Sequence, residues 1–236
     1  MAADSPVALS VFHPIHLAHG ATMVESDGWS RPSRYTAVDD EIGSVRLGVG
    51  IADISPVGKL RVYCDDLDSF LNEAFRQVTT IPTGRTTVRQ FTEDSGISDV
   101  VEARLADDEA LFITAPRQAR AVANVLEDVE AVCAHWVNVT SGHAGVAVAG
   151  PQSHLLLAAV TETNVSPEAF VDMSCAQGKV AEIHGTVLRR DIRGLLSYEL
   201  YFAREYGEYM WDALMEAGER YGLKPFGTEA LIQLRG

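Results

Sequence analysis

The stretch that decides the fold class runs from residue 59 to residue 75, KLRVYCDDLDSFLNEAF. Its first six residues alternate polar and apolar side chains, the period-two pattern of a strand with one buried face. Asp65 and Asp66 then supply the side-chain oxygens that begin a helix. On that helix the apolar residues share one side: Leu67, Phe70, Leu71 and Phe75. The stretch predicts a strand followed at once by a helix.

Further strands and helices are predicted outward from this stretch. Strands are predicted over 100–105 and 110–115, joined as a hairpin by the acidic turn 106–109, and over 137–139, 145–149, 180–189 and 197–202. Helical spacing predicts helices over 117–131, 152–160 and 205–221, with Gly222 and Pro225 ending the last. The first 50 residues are rich in Gly, Pro and Ser and predict irregular structure with one short helix over 39–47. Hairpins interleaved with helices indicate the α+β class.

Composition excludes several classes of function. The 236 residues carry 19 Lys and Arg against 33 Asp and Glu, a net charge of −14, which argues against nucleic acid and anionic lipid as partners. No apolar run is long enough to span a membrane and no secretory signal is visible. Cys64, Cys133 and Cys175 are odd in number and lack CxxC spacing, which suits a reducing compartment. We therefore expect a cytoplasmic protein.

Catalytic and metal motifs are weak. His13, His16 and His19 are spaced three apart, but Pro14 disfavours a continuous helix and no acid or Cys is near in sequence, so we expect no metal site. Gly48 and Gly50 lack the third glycine of a dinucleotide fingerprint, and neither a GxSxG elbow nor a Walker A loop occurs. The sequence patterns alone therefore predict a soluble α+β protein and no specific chemistry.

Short motifs occur in a fixed order along nearly the whole chain. They are GATMV (20–24), GW (28–29), EIGSVRLGVGIADISPVGKLRV (41–62), PTGR (82–85), GISD (96–99), VAGP (148–151), RRDIRGLLSYELY (189–201), WDAL (211–214), AG (217–218) and GLKPFG (222–227). Together they resemble the aminomethyltransferase folate-binding family, which includes the glycine cleavage T-protein, tetrahydrofolate-dependent demethylases and folate domains of sarcosine-oxidising enzymes. SPVGK (55–59) is nearer to the oxidase and demethylase branches than to the T-protein.

The resemblance implies a fold and a division of the chain. The family fold is α+β, with a ferredoxin-like subdomain against a second α/β layer and tetrahydrofolate in the hollow between them. Residues 1–236 then form a single folate-binding unit, which could be discontinuous: 1–53 with 143–236 as one layer, and 54–142 as the ferredoxin-like subdomain. T-proteins continue into a C-terminal β-barrel domain, which we expect to be absent here because the chain ends at Gly236.

The resemblance also implies site residues. Asp99 falls on the family's catalytic aspartate, where a carboxylate can accept or return a proton. Glu199 falls on the glutamate that holds the pterin, because a carboxylate accepts two parallel N–H donors. Arg189, with Arg190 and Arg193, forms a basic patch suited to a glutamate tail, and Val57 falls on an apolar position against the pterin. Each has a plainer alternative: a turn aspartate, an exposed strand glutamate, a solvated arginine or a core valine.

Four departures from the family pattern bear on tetrahydrofolate binding. Val88 stands where the family has a strand tyrosine, and Thr114 stands where it has an asparagine. The family's Thr-Gly-Glu is replaced by Arg-Gly-Leu at 193–195, and its arginine is replaced by Leu231. These replacements favour a methyl donor with an apolar or aromatic body.

We therefore expect a tetrahydrofolate-dependent methyltransferase or demethylase acting on a small methylated compound. One alternative is a non-catalytic folate-binding subunit whose partner subunit supplies the missing domain. Another is a family pocket reassigned to a different small molecule without folate.

Overall fold

The computed structural model describes residues 7–91, 96–129 and 134–236. Its strands are β1 (Ala8–Leu9), β2 (Thr22–Ser26), β3 (Trp29–Arg34), β4 (Gly50–Asp53), β5 (Gly58–Tyr63), β6 (Thr86–Arg89), β7 (Val100–Ala106), β8 (Glu109–Thr114), β9 (His135–Asn138), β10 (His143–Ala149), β11 (Ser174–Val180), β12 (Ile183–Arg189), β13 (Ser197–Ala203) and β14 (Lys224–Pro225). Its α-helices are α1 (His13–Ala18), α2 (Val38–Leu47), α3 (Leu67–Phe75), α4 (Ala119–Glu127), α5 (Ser153–Ala158), α6 (Gly207–Gly218) and α7 (Thr228–Arg235). Short 3₁₀ helices, Arg204–Tyr206 and Glu219–Tyr221, flank α6.

The opening stretch forms β5 and α3, as its two periodicities predict. The Asp66 carboxylate accepts a hydrogen bond from the Ser69 main-chain N–H at 3.3 Å, which caps α3. Leu67, Phe70 and Leu71 are buried under the sheet that β5 enters. The local pattern was sufficient here because its apolar residues face one way in both elements.

This five-stranded sheet has the order β6-β7-β8-β5-β9, and all its pairings are antiparallel. Without the edge strand β6, the elements run β5-α3-β7-β8-α4-β9, which is the ferredoxin-like arrangement. Helices α3 and α4 share one apolar cluster on one face of the sheet. The predicted ferredoxin-like part of the α+β fold is confirmed; the predicted end of α4 at Ala131, like Cys133, lies outside the described residues.

A second sheet of six strands has the order β11-β12-β13-β10-β4-β14. It is antiparallel except for the β14–β4 pair. The strands β4 and β11 are absent from the sequence-based prediction. All four residues of β4 are buried, so it has no alternation of apolar and polar residues to mark it. The boundaries of the two predicted layers, at residues 53/54 and 142/143, stay a prediction.

The irregular structure expected for the first 50 residues is wrong for residues 13–18 and 22–34. Residues 13–18 form α1, and Pro14 fits there because it lies in the first turn, where a helix needs no main-chain N–H donor.

In residues 22–34, β2 and β3 form an antiparallel hairpin, which β1 extends to a three-stranded sheet. Asp27 and Gly28 make the turn with φ values of 54° and 74°. An Asp-Gly pair is a strong local signal for such a hairpin, because both central residues need positive φ. That signal is present in the sequence and could have been used.

The two large sheets face each other across one apolar cluster, here called the inter-sheet cluster. It consists of Val45, Ala52, Ile54, Val101, Ala103, Leu111, Ile113, Ala147, Ala149, Cys175, Leu188, Ile192, Tyr201, Phe226, Ala230, Leu231 and Leu234. These residues come from both sheets and from α2 and α7. Because this layer is almost entirely apolar, a charged group buried at it needs a structural or functional explanation. Within the described part of the chain, no helix has the length and hydropathy needed to span a membrane.

Candidate functional site

A cleft of about 340 Å³ opens at the end of the inter-sheet layer. We call it the Glu199 cleft; its lining residues are Val88, Asp172, Met173, Arg190, Asp191, Ile192, Arg193, Glu199 and Arg235. Charged and apolar side chains therefore meet in one concave site, and its volume is in the range of small-molecule pockets.

Glu199 lies in the middle of β13, opposite Leu188 of β12, and is only 2% exposed. Its carboxylate accepts hydrogen bonds from Arg190 Nη1 at 3.2 and 3.3 Å, from Arg235 Nη2 at 3.3 Å and from the Tyr201 hydroxyl at 2.7 Å. Burial by itself would raise the pKa of this carboxyl, but the charges of Arg190 and Arg235 and the Tyr201 hydrogen bond together lower it. The cleft thus holds an ionised, buried carboxylate.

Arg189 is the residue opposite Tyr198 in the same strand pair, so its side chain lies on the other face of the sheet from Glu199. Its guanidinium donates to the Asp191 carboxylate at 2.7 and 3.0 Å and to the carbonyls of Pro167 and Phe170. The structure does not bring Arg189 together with Glu199. Its ligand-binding role stays a prediction.

The basic patch expected from Arg189, Arg190 and Arg193 is divided among separate internal contacts. Arg190 binds Glu199, whereas Arg193 donates to the main-chain carbonyls of Arg235 and Gly236 at the end of α7. The expectation of a patch facing one ligand is therefore wrong for Arg189, because consecutive strand residues point to opposite faces.

Val57 lies in the loop between β4 and β5 and packs, half-buried, against the inter-sheet cluster. It therefore borders the same layer as Tyr201, the hydrogen-bond partner of Glu199. Lys59 holds this loop: it is 0% exposed, and its ammonium donates to the carbonyls of Ser55 and Val57 at 2.8 and 2.9 Å. Burial lowers the pKa of Lys59 to about 8.

Lys59 was missed as a site residue. Its position in the SPVGK motif was visible in the sequence, but its burial was not.

Asp99 immediately precedes β7 and is exposed. Continuing the alternation of β7 back by one residue puts Asp99 on the side of Val101, which belongs to the inter-sheet cluster. Val101 is paired with Val88, which lines the Glu199 cleft. Asp99 therefore lies on the same side of the five-stranded sheet as the cleft, and no hydrogen bond ties its carboxylate within the described ranges.

A second buried polar chain was also missed. Tyr35 Oη lies 2.7 Å from His16 Nδ1, and His16 Nε2 lies 3.0 Å from Asp53 Oδ2. Asp53 also accepts a hydrogen bond from the Ser55 main-chain N–H at 2.8 Å, so this chain fixes the start of the Val57 loop. Although Asp53 is buried, which alone would raise its pKa, the contacts with His16 and Ser55 lower it. An acid, Asp53, therefore contacts His16 in the fold although none is near it in sequence.

Three of the four departures lie at or near the inter-sheet layer. Val88 lines the cleft, Leu231 is buried in the inter-sheet cluster, and Leu195 packs against that cluster. These three replacements make the layer more apolar. Thr114 shares the face of β8 that carries Phe112, and its hydroxyl donates to the Ala115 carbonyl. Among residues 7–91, 96–129 and 134–236, no group of three or more His, Cys, Asp or Glu is placed to hold a metal ion.

Comparison with known proteins places this chain in a family. The family model described as the GCVT N-terminal domain matches residues 12–236. The chain belongs to this family. The recognition of an aminomethyltransferase-type chain from its motifs is thereby confirmed.

Two kinds of relative match over almost the whole chain. The alpha subunit of sarcosine oxidase from Rhizobium meliloti (strain 1021) is 29% identical over 98% of this chain and 25% of its own length. The aminomethyltransferase of Halothermothrix orenii is 30% identical over 94% of this chain and 62% of its own length. This chain thus spans about a quarter of the first relative and less than two thirds of the second.

Solved structures show the same fold. Aminomethyltransferase T of the glycine cleavage system from Bartonella henselae matches with a TM-score of 0.83 at 18% identity, over 97% of this chain and 62% of its own. A chain of the heterotetrameric sarcosine oxidase from Corynebacterium sp. U-96 matches with a TM-score of 0.61 at 14% identity, over 78% of this chain and 92% of its own. The T-protein-like fold is confirmed, and the described residues contain no closed β-barrel.

Proposed function

We propose that this chain binds tetrahydrofolate in the Glu199 cleft and transfers a methyl group from a small methylated compound. The observation that carries the proposal is the buried, ionised Glu199 carboxylate beside an open cleft in a GCVT-type fold. A buried carboxylate at a cleft wall is a candidate binding group, because partly exposed donors such as Arg190 and Arg235 can give way to the N–H donors of a ligand.

The chemistry of the cleft fits a pterin ring. One edge of that ring presents an amide N–H beside an amine, and a carboxylate accepts both in parallel. Glu199 offers two oxygens, and the arginine contacts on them, at 3.2–3.3 Å, are longer than the 2.7 Å Tyr201 contact. Ligand donors could therefore replace the arginines while Tyr201 keeps the carboxylate in place.

The residues take distinct roles in this proposal. Tetrahydrofolate, when bound, supplies the acceptor for the one-carbon unit. Glu199 orients the ring, and Val57 gives its face an apolar wall that the Lys59 contacts hold in place. Asp99 accepts or returns a proton at its exposed carboxylate. Arg189 is retained as a proposed binding residue, to be tested separately.

The methyl donor is proposed to carry an apolar or aromatic body. Val88, Leu195 and Leu231 place hydrocarbon where the family pattern has polar groups. An apolar donor loses less hydration on entering such a layer than a charged one.

Calorimetric titration with tetrahydrofolate tests the binding site. We expect Glu199→Ala to weaken binding about tenfold or more, because a hydrogen bond to a charged group contributes about 1.5–3 kcal/mol. Glu216→Ala, an exposed change on α6, is the matched control and should bind as the wild type does. Equal affinity in wild type and Glu199→Ala would remove Glu199 from the site.

Turnover on a panel of O-, N- and S-methyl compounds tests the catalytic residue. Asp99→Asn should cut turnover while tetrahydrofolate affinity stays within about twofold, because the amide cannot exchange the proton. Unchanged turnover in this variant would show that Asp99 is not catalytic.

A second candidate is a folate-binding subunit of a larger oxidase or demethylase complex. It is favoured by the match to 92% of one chain of a heterotetrameric sarcosine oxidase. Co-purification with a large partner subunit supports this candidate, and robust demethylation by the isolated chain eliminates it. If no reduced folate raises the melting temperature, the pocket has been reassigned to another small molecule.

A further inference from the structure

The Glu199 carboxylate already has partners for both of its oxygens. Arg190 and Arg235 donate to Oε1, and Arg190 and Tyr201 donate to Oε2. A ligand that uses this carboxylate must therefore displace at least one of the three side chains. Which one can leave decides what the cleft accepts.

The three partners differ in how firmly they are held. Tyr201 is 2% exposed, belongs to the inter-sheet cluster and makes the short contact of 2.7 Å. The side chains of Arg190 and Arg235 are 30% and 42% exposed and make the longer contacts. A guanidinium that leaves Glu199 can therefore be hydrated, whereas the Tyr201 hydroxyl cannot. The arginines are the partners that can be exchanged.

The surroundings supply a second place for Arg190. Asp172 lines the same cleft, and its negative charge acts on Arg190. Its Oδ1 accepts the main-chain N–H groups of Met173 and Asp191, whereas its Oδ2 has no hydrogen-bond partner among the described residues. Asp191 itself is occupied by Arg189. A displaced Arg190 thus finds an acceptor at Asp172.

Arg235 is kept near the cleft by the end of its own helix. Arg193 donates to the carbonyls of Arg235 and Gly236 and so ties the last turn of α7 to the 190–195 loop. The main chain at Arg235 is held while its side chain stays partly exposed. Exchange at this position therefore needs a side-chain rotation only.

We infer that Arg190 and Arg235 are specificity-determining residues that take the place of the ligand on Glu199. The cleft then admits a flat ring whose edge carries two adjacent N–H donors, and rejects rings that cannot replace both arginine contacts. This inference rests on the proposed function. A guanidinium is the internal counterpart of an aminopyrimidine edge, since both present N–H donors in one plane.

The competition has a sign that can be measured. Salt screens the contacts between the partly exposed arginines and Glu199. A neutral ring that displaces them therefore binds more tightly at high salt. A ligand held by an ion pair to the same arginines would bind more weakly.

The test uses a reduced pterin without a glutamate tail, 6-methyltetrahydropterin, titrated calorimetrically at pH 8 in low and high salt. Arg190→Gln and Arg235→Gln should each bind it about threefold more tightly than the wild type, the scale of one partly exposed ion pair. Arg220→Gln is the control: it removes the same charge from an exposed arginine that lies over the Tyr221 ring at 4.6 Å. It should bind as the wild type does.

Three outcomes are distinguishable. Tighter binding in both cleft variants and in high salt supports the inference. If the wild type binds the pterin and both cleft variants bind it with equal or lower affinity, the inference is overturned and the proposed function stands. No binding of this pterin by wild type or variants also overturns the inference, and the tetrahydrofolate titration then decides the proposed function. Melting temperatures measured without ligand show whether each variant is folded. Arg190→Lys is a second variant, which keeps the charge but loses the planar guanidinium. Its affinity for the pterin should lie between those of the wild type and Arg190→Gln.

Discussion

Each of the two large sheets carries a glutamate that forms ion pairs with two arginines. In the five-stranded sheet, Glu102 binds Arg89 at 2.7 Å and Arg104 at 3.3 Å, and the side chains of Arg89 and Glu102 are 0% exposed. In the six-stranded sheet, Glu199 binds Arg190 and Arg235, whose side chains remain partly exposed. The residue types are the same, but the access of water differs.

That difference separates a structural group from a binding group. Arg104 also pairs with the partly exposed Asp68, but the guanidinium of Arg89 is 0% exposed and would be left without water and without a counter-ion if it lost Glu102, so this pair cannot exchange partners. The arginines of the Glu199 group can turn to water or to Asp172. The same charges thus stabilise the fold in one place and leave a site open to ligands in the other.

The largest effect is expected from Glu102→Gln. Arg89 and Arg104 would keep their charges in the interior, and the free energy of unfolding should fall by about 3–5 kcal/mol in urea titrations. Glu127→Gln, which breaks the exposed contact with Arg120, should cost less than about 1 kcal/mol. Similar losses in the two variants would show that burial does not separate the groups.

The second effect concerns Lys59, a buried charge whose ammonium hydrogen-bonds to two carbonyls. Its pKa of about 8 lies below the ordinary value of 10.5, so between these values the unfolded chain binds more protons than the folded one. Stability should therefore rise with pH across this window, by up to about 3 kcal/mol relative to Lys59→Met. Unfolding at pH 7.5 and 10.5 measures it. Exposed Lys179→Met should show the wild-type slope.

A third, smaller effect is expected from Arg189→Gln, on the opposite face of the strands that carry Glu199. The carbonyls of Pro167 and Phe170 and the Asp191 carboxylate would lose their donors, and we expect a loss of about 2 kcal/mol in stability. Tetrahydrofolate titration of the same variant decides its ligand role. Full stability with weakened binding would assign Arg189 to the ligand instead of the fold.

The smallest effect on stability is expected from Glu199→Gln. Arg190 and Arg235 can turn to water, and Tyr201 can donate to the amide oxygen, so the loss should be about 1 kcal/mol. Thermal unfolding without ligand measures it. A loss as large as that of Glu102→Gln would place both glutamates in the same structural class.

Local pattern predicted strand β5 and helix α3 because their apolar residues recur at one period. The β7–β8 hairpin was predicted from two apolar runs joined by an acidic turn. Strand β4 was not predicted, since it has four residues and two of them, Gly50 and Asp53, are of types depleted from strands. Helix α7 was not predicted, since no side chain caps its start and its apolar Ile232 is 66% exposed. The β2–β3 hairpin was not predicted either, although the Asp27–Gly28 pair at its turn is a local signal for such a hairpin.

The sequence by itself determined the family and the α+β class, and it supplied the candidate residues Asp99, Glu199, Arg189 and Val57. It could do so because each family motif is a short contiguous segment, and the order of the segments can be recognised without the fold. Only the tertiary structure decided which of them share a face. Arg189 and Glu199 lie on adjacent strands yet point apart, whereas Glu199 and Arg235 are 36 residues apart and touch. Strand register and long-range packing set those contacts, and neither can be obtained from the spacing of residues along the chain.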